Sequence, residues 1–176
     1  MFIKSLMTPG KVLDLFGSMY RQLKSINADI KILLTVSPVR HIKDTLELNS
    51  VSKSILRVAC HTLVKEFRDV YYFPAYEIMM DDLRDYRFYK ADMIHPTQVA
   101  EQYIWQKFAE QYFDDDLKTF LSKWNEIQLA LAHKPFHPAS SAHQNFVKEM
   151  LKKLEELKGV VDVEEEATAL RRQLKA

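Results

Sequence analysis

Cysteine, glycine and long apolar runs are scarce in this chain. Its 176 residues include one cysteine, three glycines and six prolines. A lone Cys60 excludes an internal disulfide framework and a cysteine-based zinc site. Its neighbours Leu56, Val58 and Ala59 suggest a buried thiol with no obvious group to activate it. No stretch approaches the ~18 uncharged residues of a membrane span. The start, "MFIKSLMTPGKVL", has no apolar core of signal-peptide length, so a soluble, cytoplasmic protein without membrane partners is expected. An excess of one charge is also missing. The 25 Lys and Arg stand against 24 Asp and Glu, which leaves a formal +1 and no overall field for nucleic acid. Internal repeats and low-complexity tracts are absent.

What is present is 47% hydrophobic sequence, enough for one domain with a core or for part of a larger one. Val12, Leu13, Phe16, Tyr20 and Leu23 recur at helical spacing behind the breakers Pro9 and Gly10, predicting a helix over 11–27. "IKILLTV" (30–36) is an apolar run too short for a helix and reads as a buried parallel strand. Ile55, Leu56, Ala59, Leu63 and Phe67 predict a second helix, and "DVYYFP" (69–74) a second strand. Alternation of helix and strand points to an α/β layered fold with right-handed crossovers. Two strands alone make a marginal parallel sheet, so further strands are expected from another polypeptide segment, or the chain is a piece of a larger domain.

From residue 97 the pattern is helical. Val99, Tyr103, Ile104, Phe108 and Tyr112 form one stripe. Leu117, Phe120, Leu121, Trp124, Ile127 and Leu131 form a second, and Phe146, Met150, Leu154 and Leu157 a third. "HKPFHPAS" (133–140) breaks the helices, and its Pro135 prevents His133 and His137 from aligning as metal ligands. The closing "DVEEEATALRRQLKA" is expected to be a peripheral or frayed helix. The division expected is an α/β domain over 1–113 and a helical extension over 114–176.

Ligands of open α/β sheets bind beyond the carboxyl ends of the strands, which directs attention to "SPVRH", "YFPAYE" and "DMIHPTQ". In the last of these, Pro96 suits the first position of a helix and forces His95 into extended backbone. Asp92, three residues earlier, can fold back onto one ring nitrogen and leave the other as a base for a hydroxyl nucleophile. A surface cap is the alternative reading of the same pair. Ser37 reads more simply as a strand stop than as a nucleophile, and Gly17–Ser18 lies within a helical pattern. Arg40 suits an anionic or oxygen-rich substrate, or an acidic neighbour. "EIMMDDLRDYRFYKAD" is read as an ordered loop stapled by Asp–Arg pairs over packed aromatics, with Arg84, Tyr86 and Arg87 facing a substrate as the alternative. Glu77 and Asp81 have no His at ligand spacing, so no metal site is expected.

The blocks "ILLTVSPVRHIKD" (32–44), "SKSILR" (52–57), "YYFPAYEIMMDDLRDYRFY" (71–89) and "DMIHPTQVAEQYIW" (92–105), in this order, closely resemble the GSCFA family, over roughly residues 10–110. GSCFA proteins are bacterial and look like members of the SGNH-hydrolase, or GDSL-esterase, superfamily. That resemblance implies a flavodoxin-like three-layer α/β/α fold, present here in part, and a Ser-His-Asp hydrolase site without a cofactor. The superfamily's Asp-x-x-His block falls on Asp92 and His95. The resemblance also puts the "SPVRH" block, Ser37, Arg40 and His41, beside the site, with Tyr76 and Glu77 as further candidate substrate contacts. An acylated small molecule or carbohydrate is the substrate class implied. The Gly-Ser motif that carries the family's nucleophile has no counterpart among Gly10, Gly17 and Gly159. The chain is therefore expected to be the C-terminal portion of such a hydrolase, its sheet edge covered by a missing segment or a second copy. A non-enzymatic module, whose helical stripes between 115 and 158 dock a partner, is the competing expectation.

Overall fold

The computed structural model describes residues 5–174, which divide into two compact units between Glu110 and Gln111. In the first unit, α1 (Pro9–Ile26) starts where Thr8 accepts the Lys11 N–H and Pro9 takes the first turn. It packs against α2 (Leu46–Glu66). Phe16, Tyr20 and Phe67 form an aromatic cluster with ring centroids 4.4–6.5 Å apart. From the last turn of α1, Lys24 bonds both the Ala28 carbonyl (2.7 Å) and the Asp69 carboxylate (2.6 Å). This tie connects the entries to the two strands.

Those strands, β1 (Ile32–Leu34) and β2 (Val70–Tyr72), are parallel, with Ile32 beside Val70, Leu33 beside Tyr71 and Leu34 beside Tyr72. The ladder is extended by Ile32 N–H to Asp69 O and Phe73 N–H to Leu34 O, both 2.8 Å. Strand residues alternate faces. Val70 is buried on one face, whereas Leu33 and Tyr71, on the other, remain 38% and 42% exposed. The expected two parallel strands are present. Among the described residues they are the whole sheet, so this chain has α/β character with only a small β layer.

Two stripes lie differently from expectation. On α2 the buried residues are Lys53, Ala59, Cys60 and Leu63, while Leu56 is 40% exposed. The inward face is rotated so that Lys53 and Cys60, seven apart, lie in register on it. On α4 (Gln98–Tyr112) Ala100 is buried and Val99 exposed. Between them, α3 (Ala75–Met80) and the turn after it place Met79, Leu83, Tyr89 and Ala100 in a small core.

The second unit holds α5 (Asp115–Ala132), α6 (Ser141–Leu157) and α7 (Glu164–Arg171). Asp114 and Ser140 cap the first two through the N–H groups of Leu117 and His143. Ile127, Ala130, Val147, Met150, Leu154, Leu157, Val163, Ala167 and Leu170 form one buried cluster. The expectation of a frayed terminal helix is corrected here. Ala167 and Leu170 of α7 are buried, because its apolar residues share one face while Glu164–Glu166 occupy its first turn, where acidic groups complement the helix dipole. The stripes expected on α5 and α6 are largely consumed in this internal core.

Candidate functional site

The "DMIHPTQ" segment is a tight turn between two antiparallel contacts. Thr97 N–H donates to Phe88 O and Lys90 N–H to His95 O, each 2.8 Å, and Tyr89 and Pro96 form an isolated bridge. Helix α4 begins at Gln98, and Thr97 takes the capping position, accepting from Ala100 N–H at its hydroxyl and from Glu101 N–H at its carbonyl. Pro96 is therefore not the first helical residue. A threonine side chain can satisfy a free helical N–H and Pro96 cannot, so the helix starts after Thr97.

Asp92 organises the turn. Its Oδ1 accepts the N–H groups of Ile94 (2.9 Å) and His95 (3.0 Å), while its Oδ2 lies 2.7 Å from His95 Nδ1. All three contacts favour the ionised carboxylate and hold it well below the usual carboxylate range, the His95 bond contributing most. The bond assigns the Nδ1 proton of a neutral His95 to the Asp92 side and leaves Nε2 as the lone-pair nitrogen. The His95 side chain is 53% exposed, so Nε2 is open to an incoming group. Closing the turn requires Met93 to adopt φ 59°, a left-handed conformation unfavourable for a side chain of this size.

Arg40 reaches this turn from the loop after β1. Its backbone N–H donates to Ile94 O (3.3 Å) and its guanidinium to Met93 O (3.2 Å). The guanidinium also lies 4.1 Å from the centroid of the Tyr89 ring and 6.0 Å from that of Tyr86. Arg40 and Tyr89, with Met79, Met80 and Leu83, line a cavity of about 200 Å³.

The remaining predicted residues form two neighbouring networks. Ser37 Oγ accepts the Val39 N–H at 3.2 Å, and the Ser37 carbonyl accepts from the ammonium of Lys53. Tyr76 presents its ring 6.0 Å from that ammonium. Glu77 accepts from Arg57 (2.5 Å) and from the Tyr72 hydroxyl (2.8 and 3.0 Å). Burial first, and then the Glu77 carboxylate, raise the Tyr72 hydroxyl pKa far above its ordinary value. His41 is exposed and its backbone N–H donates to Asn49 Oδ1 at 2.8 Å. In the 81–89 segment Arg84 pairs with Asp81 (3.0 Å), Arg87 approaches Asp85 (3.9 Å), Tyr89 is buried and Phe88 packs against its cluster, as the stapled loop requires, but Tyr86 is 68% exposed and not packed beneath it. Gly17 and Ser18 lie inside α1, where Ser18 Oγ donates to Asp14 O. The described residues contain no group of three or more metal-ligand side chains.

Lys53 is the residue that sequence reasoning passed over. It is 4% exposed with no carboxylate partner among the described residues, and desolvation lowers its pKa. Its in-phase spacing with Cys60 was the available signal. Cys60 itself is buried, and burial raises its thiol pKa.

No helix among the described residues is long and apolar enough to cross a membrane. Residues 1–108 match the family model described as "GSCFA family", and residues 124–176 match that described as "GSCFA domain protein, C-terminal domain". No curated protein and no solved structure matches the chain. The two family matches lie in order and together span most of the sequence, so the chain belongs to the GSCFA family.

Proposed function

We propose that this chain supplies the base and its orienting carboxylate to an SGNH-type serine esterase, acting on an acylated small molecule or an acetylated carbohydrate. The observation that carries the reading is the Asp92–His95 pair, bonded at 2.7 Å through Nδ1 with Nε2 open. In the proposed reaction a serine hydroxyl attacks the acyl carbonyl and its proton passes to His95 Nε2. Asp92 stays ionised and stabilises the imidazolium. The imidazolium then protonates the departing alkoxide, and the same nitrogen later takes a proton from the water that releases the acid.

The nucleophile is assigned to a serine outside these 176 residues. Ser37 Oγ is engaged with its own loop, and the side-chain partner of His95 is Asp92. The two-stranded parallel sheet supports the same assignment, since among the described residues each strand has a free edge with which further strands would pair. The test is hydrolysis of a short-chain acyl ester by this chain and by a longer product of the same reading frame, each with and without His95→Ala. Activity in the longer protein only, lost on substitution by at least ~10³-fold, is the expected result. Inactivity of both would end the hydrolase reading, and His95-dependent activity in the short chain would return the nucleophile to Ser37.

A further inference from the structure

Asp92 and His95 sit on an exposed turn whose backbone includes the left-handed Met93, so the Asp92 bonds that close it work against a strained residue. An exposed carboxylate-imidazole contact alone contributes little against the entropy of the two side chains. Contacts from beyond the turn add to the hold that Asp92 supplies from within it. Two of its carbonyls point at the same residue: Met93 O receives the Arg40 guanidinium and Ile94 O the Arg40 N–H. The guanidinium is itself fixed on the Tyr89 ring, and the Tyr89–Pro96 bridge closes the other side of the turn. Arg40 in turn belongs to the loop whose Ser37 carbonyl is bonded by the buried Lys53. A charge is buried there without an anion, a costly arrangement whose visible return is the fixing of this loop.

We propose that Arg40 is the positioning residue of the Asp92–His95 pair, holding the strained turn closed from the far side, with Lys53 anchoring the Arg40 loop from within α2. The inference rests on the proposed esterase reading only for its catalytic consequence. The structural claim concerns the turn itself and is tested without substrate.

The experiment is NMR on the full chain. It records hydrogen exchange of the Ile94 and His95 amides, the ring-nitrogen shifts that report the His95 tautomer, and the titration of the Asp92 carboxyl. The variants are R40M, which keeps the stem and removes every side-chain donor, R40K, which keeps a cation and one donor, and R84M as a control on the neighbouring Asp81 pair. R40M is expected to speed exchange of both amides about tenfold, the size of one charge-assisted hydrogen bond. It is also expected to bring Asp92 back toward the usual carboxylate range and mix the two tautomers. R40K should recover part of each effect, and R84M should match the unsubstituted protein. If R40M fails to fold, R40K decides, through loss of amide protection by a few fold or through its retention. Unchanged protection, tautomer and Asp92 titration in a folded Arg40 variant would overturn the proposal. An inactive longer protein with a loosened turn in R40M would instead end the esterase reading alone.

Discussion

The two units of this chain hold themselves together by different means. In the helical unit nine apolar side chains from three helices and the segment before α7 close on one another, and Ile127, Val147 and Leu170 have no exposed surface. In the first unit the cluster of Met79, Leu83, Tyr89 and Ala100 and other buried residues such as Leu63, Val70 and Phe73 are joined by polar clamps that reach loops and strand entries: Lys24 on Asp69, Arg57 on Glu77, Lys53 on the Ser37 carbonyl and Arg40 on Met93. Apolar burial is non-directional and tolerates approximate geometry, whereas a hydrogen bond fixes one atom against another. Two of the directional contacts, from Lys53 and Arg40, hold the Ser37 loop and the Asp92–His95 turn.

The contrast breaks first at Leu154. Leu154→Ala should cost about 3–5 kcal/mol, the upper part of the range for cavity-forming truncations, because the closed core cannot collapse around the loss. Leu83→Ala, in the smaller core of the first unit, should cost about 2–3 kcal/mol, and urea unfolding of both variants measures the difference. Equal costs would mean that the two cores are equally tight.

Lys53→Met tests the polar side. At neutral pH the change should stay within about 1 kcal/mol, since relief of the buried charge offsets a carbonyl left without its donor. The pH dependence is the sharper test. Folded Lys53 releases its proton below the ordinary 10.5, while the unfolded chain keeps it up to that value. Between the two the unfolded state binds more protons, so the unsubstituted protein gains stability over Lys53→Met as pH rises toward 10.5. Denaturation midpoints at pH 7 and pH 10 check the sign.

Asp92 gives the same sign in the acid range, with an effect reduced by solvent screening of the exposed pair. Its folded carboxyl ionises below the 3.8 of the unfolded chain, so its stabilisation is complete above that value and is lost as pH falls through the lower, folded one. The stability of Asp92→Asn should therefore lie below that of the unsubstituted protein at pH 7 and converge with it in acid. Smallest of all is Lys123→Ala, which removes an exposed pair with Glu156 across α5 and α6 and should stay within about 0.5 kcal/mol by the same unfolding measurement.

Much of this arrangement is legible in the residues. Apolar periodicity locates α1, α2, α4, α5 and α6, and two short apolar runs ending at Pro38 and Pro74 locate both strands. The Asp92–His95 contact is legible because an aspartate three residues before a histidine reaches its ring within one local turn. Periodicity is weaker on the phase of a stripe. Leu56 outranks Lys53 in hydropathy, yet Lys53 is the one turned inward, where Ser37 O lies within reach of its long stem. The start of α4 depended on the competition between Pro96 and Thr97 for the cap. Arg40 was visible as a binding group but not as a clamp, because its acceptor lies 53 positions away and becomes its neighbour only through folding.

Lys53 also equips the first unit with a chemical clock. Among the described residues it is the buried lysine, with an amine that sheds its proton more readily than its exposed counterparts. An acylating reagent should modify the surface lysines first and reach Lys53 only when the helix and the Ser37 loop part. Its rate of modification would then count those openings one by one.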